Sequence, residues 1–123
     1  GGGGGGGATA AATAAAEAAR GRVEPALLDA LAQLVHALGV DASKQLHYAL
    51  CGATRAEAVP ARRAAMRGLA RLYAVLKQHA LTHVPEAVPF VAELVEDGDL
   101  EVRKEALALM RSLEDLAGEE LMR

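Results

Sequence analysis

The feature that most constrains the fold of this chain is a helix–turn–helix pattern over residues 84–116. Its first part is apolar, carries Pro85 and Pro89 near its start, and runs into the acidic turn E-D-G-D. Its second part opens with Val102 and Arg103. Apolar residues then follow three or four positions apart, at Ala106, Leu109 or Met110, and Leu113. That spacing places them on one helix face, and two short helices cannot bury such faces alone, so the pattern predicts a unit that stacks on similar neighbours.

A related pattern lies 41 residues earlier in the chain. The shift matches Arg62 with Arg103, Ala65 with Ala106, Met66 with Leu107, Leu69 with Met110, and Leu72 with Leu113. It also matches Ala49, Leu50 and Ala53 with Phe90, Val91 and Leu94. A period of roughly 40–47 residues is typical of HEAT and armadillo units, in which each repeat is a pair of helices.

Five helices are predicted. Their approximate bounds are Pro25–Leu38, Asp41 or Ser43 to Thr54, Pro60–Gln78, a stretch within Thr82–Glu96, and Asp99–Ala117. The second and third form one repeat and the fourth and fifth the next, which leaves the first as half of an earlier repeat. The predicted fold class is therefore all-α: a HEAT-type α-solenoid fragment with about two and a half helix-pair repeats.

Each predicted helix has apolar residues that we expect to face inward. They are Leu27, Leu28, Leu31, Leu34, Val35 and Leu38 in the first helix, Leu46, Ala49 and Leu50 in the second, Met66, Leu69, Tyr73 and Leu76 in the third, and Val84, Val88, Val91, Leu94 and Val95 in the fourth. The first helix has no partner on its outer side, so this chain alone is expected to be marginally stable or to self-associate. Pro89 would kink a helix that began at Thr82, and Gly118 is expected to follow the fifth helix.

Composition divides the chain into residues 1–22, a Gly/Ala-rich leader, and residues 23–123, the repeat region. Seven leading glycines favour no fixed backbone, so the leader is expected to be disordered. The first residue is glycine rather than methionine, and we interpret the sequence as part of a longer one. The only cysteine, Cys51, has no partner for an internal disulfide, and no apolar run approaches a membrane span of about 20 residues. An intracellular protein without a membrane segment is expected.

Charge is unevenly distributed along the chain. Residues 1–83 contain nine basic and five acidic residues, whereas residues 84–123 contain four basic and eleven acidic residues. This asymmetry favours an acidic partner for the first part and a basic partner for the second.

The acidic turn has a structural interpretation. Gly98 permits a tight reversal between Asp97 and Asp99, and Asp99 is a natural N-cap for the fifth helix. Val102 is expected to face the seam between the two helices, and Arg103 to brace an aspartate of the same or the adjacent repeat. The repeat signature is therefore Pro85, Pro89, Asp97, Asp99, Val102 and Arg103. An ordinary helical hairpin is the alternative.

Sites for chemistry are weakly indicated. His79 and His83 are four residues apart and could share a metal-binding helix face, but a helix break between them and the lack of a third ligand favour a surface or loop role. Cys51 is interpreted as a small buried apolar residue, because no Cys–His–acid pattern is evident. The acidic residues around Asp97 lack the ligand spacing of an EF-hand, and the leading glycines do not form a phosphate-binding loop. We expect no catalytic residue, no metal, no cofactor, no small-molecule substrate and no enzymatic activity.

The third helix carries a basic stripe. Arg63, Arg67 and Arg71 are spaced by four residues, and Arg62 lies beside them. Such a row could contact RNA phosphates without base selectivity, since no aromatic residues are interleaved for stacking. A solvated helix face, or salt bridges to a neighbouring helix, is the alternative interpretation.

One family resemblance goes beyond the general HEAT pattern. The quoted segments are H-V-P-E-A-V-P-F-V-A-E-L-V-E-D at residues 83–97, then E-V-R-K-E-A and L-E-D-L-A-G-E-E-L, with K-Q-L-H-Y-A-L at residues 44–50 and Thr54-Arg55 upstream. Together they resemble the C-terminal end of the large HEAT-repeat, U3 small nucleolar RNA-associated subunits of the small-subunit processome. The likeness covers about Pro25 to Leu121; the leader has no counterpart, and the third helix is more basic than the family pattern.

The resemblance implies a non-catalytic scaffold in ribosome biogenesis. It implies roles in pre-rRNA processing, 18S rRNA maturation and rDNA transcription, in the nucleus and nucleolus. The implied partners are processome protein subunits, pre-rRNA and U3 small nucleolar RNA. The alternative is a cytoplasmic HEAT or armadillo protein–protein adaptor or transport scaffold, which would bind proteins but no small nucleolar RNA.

Overall fold

A computed structural model describes residues 24–121, with side chains as far as Glu119. Its helices are α1 (24–38), α2 (Val40–Ala53), α3 (Val59–Leu76), α4 (Val84–Val95) and α5 (Leu100–Leu121), with a 3-10 helix at Lys77–Thr82. Within this part of the chain there are no strands, and the prediction of five helices is confirmed. None of the described helices combines the length and apolarity that a membrane span requires. The predicted disordered leader, residues 1–22, lies outside the described residues.

The helices form two layers. α2 packs on α3 and α4 packs on α5, which gives two helix pairs. The second pair stacks on the first through contacts of α3 with α5 and of α2 with α4. α1 lies on the other side of α3, where Glu24 and Asp29 form ion pairs with Arg67 and Arg71. This order of a lone helix followed by two stacked pairs confirms the HEAT-type α-solenoid fragment of about two and a half repeats.

The core lies where the helices of each pair, and the two pairs, pack against one another. On α3, the predicted inward residues Met66, Leu69, Tyr73 and Leu76 are all buried. On α5, the buried positions are Val102, Ala106, Leu109 and Leu113. On α4, Val91 and Leu94 are buried and Val84 and Val95 are half-buried, whereas Val88 is exposed. Burial of these side chains provides most of the apolar driving force for packing the pairs.

The prediction for α2 is confirmed only in part: Leu46 and Leu50 pack against the core, but Ala49 does not. Leu46 and Leu50 are only half-buried and Ala49 is exposed, while the buried residues of α2 are Ser43, His47 and Cys51. The buried positions of α2 and α4 repeat after 40 residues and not after the 41 that aligns the two sequence patterns. The matched pairs in the α2–α4 layer are Ser43 and His83, His47 and Ala87, Cys51 and Val91, and Thr54 and Leu94.

α4 lies within its predicted stretch, whereas the end of α5 differs from expectation. α4 begins at Val84 and continues through Pro89, so Pro85 occupies the first turn, where its missing amide proton costs nothing. α5 does not stop before Gly118 but runs to Leu121. Gly39, by contrast, separates α1 from α2 as expected, with a φ of 105° that favours glycine over residues with side chains.

The outward face of α1 carries most of the exposed leucines. Leu27, Leu31, Leu34 and Leu38 are 63%, 42%, 57% and 68% exposed, while Ala32 and Val35 on the opposite side are buried. The predicted apolar stripe therefore exists, but only its inner edge packs on α3.

Self-association of the isolated chain should depend on this face. Leu31→Gln with Leu34→Gln should lower the weight-average mass in sedimentation velocity at high protein concentration, because it removes the apolar stripe without touching the core. The matched control is Leu107→Gln, a 43% exposed leucine on α5 that lies outside the stripe. Equal effects of the two changes would show that the α1 face has no special role.

Candidate functional site: the seams between helix pairs

The turn between α4 and α5 is held by its two aspartates. The Asp97 carboxylate accepts a hydrogen bond from the Asp99 amide at 2.9 Å, and the Asp99 carboxylate accepts one from the Val102 amide at 3.0 Å. The second bond is an N-cap that satisfies a free amide at the start of α5. Val102 itself is fully buried, so the cap fixes the residue that packs in the seam.

Two arginines converge on Asp97. Arg103 donates to the Asp97 backbone carbonyl at 2.7 Å. Arg62, its counterpart in the preceding pair, places Nη2 at 3.1 Å and Nε at 2.9 Å from the carboxylate oxygens, with both side chains largely buried. Arg62 also donates to the carbonyls of Ala56 and Glu57. The Asp99 amide, followed by the Arg62 guanidinium, holds the pKa of Asp97 below its ordinary value.

Arg103 therefore contacts Asp97 of its own repeat through the backbone carbonyl. The Asp97 carboxylate instead binds Arg62 of the adjacent repeat. A second contact between the pairs lies at the solvent edge, where Arg55 forms a bidentate pair with Glu93 at 2.7 and 3.0 Å. Its guanidinium also lies 4.4 Å from the centre of the Phe90 ring, a cation–π contact. Arg55 and Arg62, which belong to the first pair, thus both bind acidic residues of the second.

The basic row of α3 lies between two acidic helices. Arg63 pairs with Glu105 of α5 at 2.7 Å, Arg67 with Glu24 of α1 at 2.8 Å, and Arg71 more loosely with Asp29 of α1 at 3.6 Å. Each arginine keeps between 38% and 46% of its side chain exposed. The row thus links three neighbouring helices, and its charge is partly balanced. Contact with RNA phosphates stays a prediction.

A buried polar cluster occupies the other layer. His47 is fully buried and lies 2.7 Å from a Glu86 carboxylate oxygen through Nδ1, and 2.7 Å from the Tyr73 hydroxyl through Nε2. These contacts join α2 to α3 and α4. The His83 ring stacks on His47 with centroids 5.0 Å apart, and its Nε2 lies 3.2 Å from the Ser43 hydroxyl.

His79 and His83 do not form a shared metal-binding face. His79 is exposed in the 3-10 helix, whereas His83 lies just beyond that helix and is only 8% exposed. The expected helix break is present, and of the expected surface or loop roles His83 has the loop position without the exposure, because its ring packs on His47. Burial, followed by the nearby His47, lowers the pKa of His83 and favours its neutral form.

Sequence reasoning missed the surroundings of Cys51. The thiol is fully buried, 3.9 Å from Nδ1 of His47, and Glu86 completes a cysteine–histidine–acid group that no local sequence pattern indicates. Burial, and secondarily the Glu86 charge, raises the pKa of the Cys51 thiol to about 11. The thiolate required of a nucleophile is therefore disfavoured at neutral pH.

Comparison with known proteins finds large relatives. The chain is 34% identical to human HEAT repeat-containing protein 1 over 101 residues, 81% of this chain and 5% of that protein. It is 36% identical to U3 small nucleolar RNA-associated protein 10 of Eremothecium gossypii over 97 residues, 76% of this chain and 6% of the relative. An uncharacterized Arabidopsis thaliana protein is 32% identical over 100 residues, 80% of this chain and 5% of its own length. The chain is homologous to a segment of these proteins.

The resemblance inferred from the sequence is thereby confirmed. The chain spans only a small part, 5% or 6%, of the length of these three relatives. Searches against protein-family models and against solved structures find no match.

The Arg62 contacts should stabilise the stacked pairs. Arg62→Met should lower the free energy of unfolding by about 2 kcal/mol, the range for hydrogen bonds to charged groups, because Asp97 and two carbonyls lose their donor. The measurement is urea unfolding followed by circular dichroism. Lys104→Met, which removes an exposed pair with Glu101, is the control and should change little. Equal losses in both variants would contradict a special role for the seam.

Acid stability should report on Asp97. Because its folded-state pKa lies below the ordinary value of 3.8, the charged carboxylate stabilises the fold above that pH, and this contribution is lost as the pH falls through the folded-state pKa. The stability difference between the natural chain and Asp97→Asn should therefore be constant near neutral pH and shrink at acid pH. A difference that does not change with pH would contradict this.

Proposed function

We propose that this chain is a structural segment of a non-catalytic HEAT-repeat scaffold in ribosome biogenesis. The observation that carries the proposal is the match of 97 residues, at 36% identity, to a protein named U3 small nucleolar RNA-associated protein 10. A second relative of the same name, from Schizosaccharomyces pombe, matches at 30% identity. Both matches extend over most of this chain, so they concern the stacked helices rather than one short motif.

The packing supports a scaffold. Arg55 and Arg62 of the first pair hold Glu93 and Asp97 of the second, and the apolar seam is continuous between them. Such a stack fixes the position of each repeat relative to the next. It also exposes side chains to which partners can bind. Burial raises the pKa of the Cys51 thiol, which disfavours the thiolate that a nucleophile requires. We therefore assign a binding role and no reaction.

Two surfaces are available for partners. The exposed acidic residues of the second pair suit basic protein segments. They are Glu93, Glu96, Glu101, Glu114, Asp115 and Glu119. The arginine row of α3 can bind phosphates when its arginines are not paired with Glu105, Glu24 or Asp29. We propose processome protein subunits as partners of the acidic surface, and pre-rRNA or U3 small nucleolar RNA as the ligand of the arginine row.

The proposed cellular role follows from this assignment. The parent protein would act in the nucleolus, in pre-rRNA processing toward 18S rRNA and in rDNA transcription, and this segment would contribute docking surface at its C-terminal end. The names of the relatives support the U3 association; the finer roles rest on the family resemblance.

A pull-down tests the proposal. The tagged parent protein, with or without residues 23–123, is recovered from cell extract and probed for U3 small nucleolar RNA and rRNA precursor. We expect enrichment of both RNAs and a loss of precursor when the segment is removed. Enrichment that is unchanged by the deletion would contradict an assembly role for the segment. Absence of both RNAs from either form would favour a cytoplasmic adaptor.

Charge variants test the arginine row within the same assay. Replacing Arg63, Arg67 and Arg71 by glutamine should weaken RNA retention and flatten its salt dependence. The matched control is Glu24→Gln with Asp29→Asn, which frees Arg71, leaves Arg67 only its 3.9 Å contact with Glu105, and should strengthen retention. If the row only joins helices, both sets should reduce stability and leave RNA retention of the folded protein unchanged.

A further inference from the structure

Three potential metal ligands meet between α2 and α4. Nδ1 of His47, Sγ of Cys51 and a carboxylate oxygen of Glu86 all lie within 4.8 Å of one another. His47 and Cys51 are four residues apart on α2 and therefore share a helix face. Glu86 comes from the first turn of α4, in the next helix pair. The group thus spans the seam between two repeats.

We propose that His47, Cys51 and Glu86 bind a divalent transition-metal ion, Zn²⁺ being the best match, and that the ion joins the two helix pairs. One nitrogen, one sulfur and one oxygen donor form a borderline-soft set, which suits Zn²⁺ and not the hard ions Mg²⁺ and Ca²⁺. Three protein ligands leave a fourth position for water.

Binding an ion requires two side chains to move. With bonds of about 2.0–2.3 Å, tetrahedral ligand atoms lie roughly 3.3–3.8 Å apart. The Cys51 sulfur lies 3.9 Å from Nδ1 of His47 and 4.0 Å from Nε2, beside the ring, so the Cys51 side chain must turn toward Nδ1 for both atoms to bind one ion. The 2.7 Å between Nδ1 and the Glu86 oxygen is a hydrogen bond, so an ion would replace a proton there and move the carboxylate outward by about half an ångström. The Glu86 side chain is 35% exposed, which leaves it room to move and leaves the ion a route of entry.

The surroundings match those of a metal-binding histidine. A histidine that binds a metal through one nitrogen usually donates its other N–H to an oxygen, which fixes the tautomer and the ring. Nε2 of His47 lies 2.7 Å from the Tyr73 hydroxyl, which can accept that bond. The stacked His83 ring covers the same imidazole and is tied to Ser43, so it supports the ligand and does not coordinate.

Charge and protons balance in the bound state. His47 binds the ion through Nδ1 and carries a proton on Nε2. The Cys51 S–H bond breaks, its electron pair forms the metal–sulfur bond, and its proton leaves to solvent. The thiolate and the Glu86 carboxylate then neutralise the two charges of the ion in a buried site, and one proton is released per ion bound.

Cobalt titration of the full chain, after removal of metal by a chelator, tests the site. Co²⁺ bound to a thiolate gives a charge-transfer absorption in the near ultraviolet, and Cys51 is the only cysteine, so exposed histidines such as His36 and His79 cannot produce it. We expect saturation at one Co²⁺ per chain, displacement by Zn²⁺, and release of one proton in a weakly buffered solution.

Variants separate the site from a purely structural hydrogen-bond cluster. Cys51→Ser should abolish the absorption, and Glu86→Gln, a change at a partly exposed residue, should weaken Co²⁺ binding at least 10-fold while circular dichroism stays native. Tyr73→Phe should keep the absorption but weaken binding about 10-fold to 100-fold. A folded natural chain that shows no thiolate absorption at millimolar Co²⁺, or a Glu86→Gln variant that binds Co²⁺ with unchanged affinity, would overturn the proposal.

Discussion

The stacking of the second helix pair on the first is the interaction on which the rest of the structure depends. Leu69 and Leu72 of α3, Val91 of α4 and Val102 of α5 are fully buried, and they belong to one continuous core. A helix pair that stands alone leaves an apolar face exposed to water, so burial between pairs is needed to stabilise each pair. The exposed leucines of α1 show the same requirement unmet at the edge of the stack.

Polar contacts then define how the pairs fit together. Arg62 and Asp97 connect the pairs near the inter-helix turns, and His47 with Glu86 connects α2 to α4 in the other layer. These contacts are directional, whereas apolar packing alone would tolerate small slips between helices. A partly buried arginine that lost its carboxylate would remain poorly solvated, which penalises alternative registers. The segment therefore has the rigidity that a scaffold needs, and an ion held by His47, Cys51 and Glu86 would reinforce the same seam.

The sequence predicted the α3–α5 layer well because apolar residues there recur at helical spacing, and Met66, Leu69, Tyr73 and Leu76 are buried as expected. It misled for α2, where the buried positions are polar: a histidine can enter a core when Tyr73 and Glu86 satisfy both its nitrogens, and apolar periodicity does not show such partners. The acidic partners of the arginine row were likewise hidden, since Glu24 and Glu105 are distant in sequence and become neighbours only after stacking. Contacts that depend on register between repeats are thus the part that a single sequence reveals least.

Native-state hydrogen exchange tests most directly the claim that the two pairs form one stacked unit. If the seam holds them together, the slowest amides of α3, α4 and α5 should exchange with the same opening free energy, and those of α1 should exchange faster. Protection of α4 and α5 that persists while α2 and α3 open separately would contradict the account, because it would mean that each pair is stable without its neighbour.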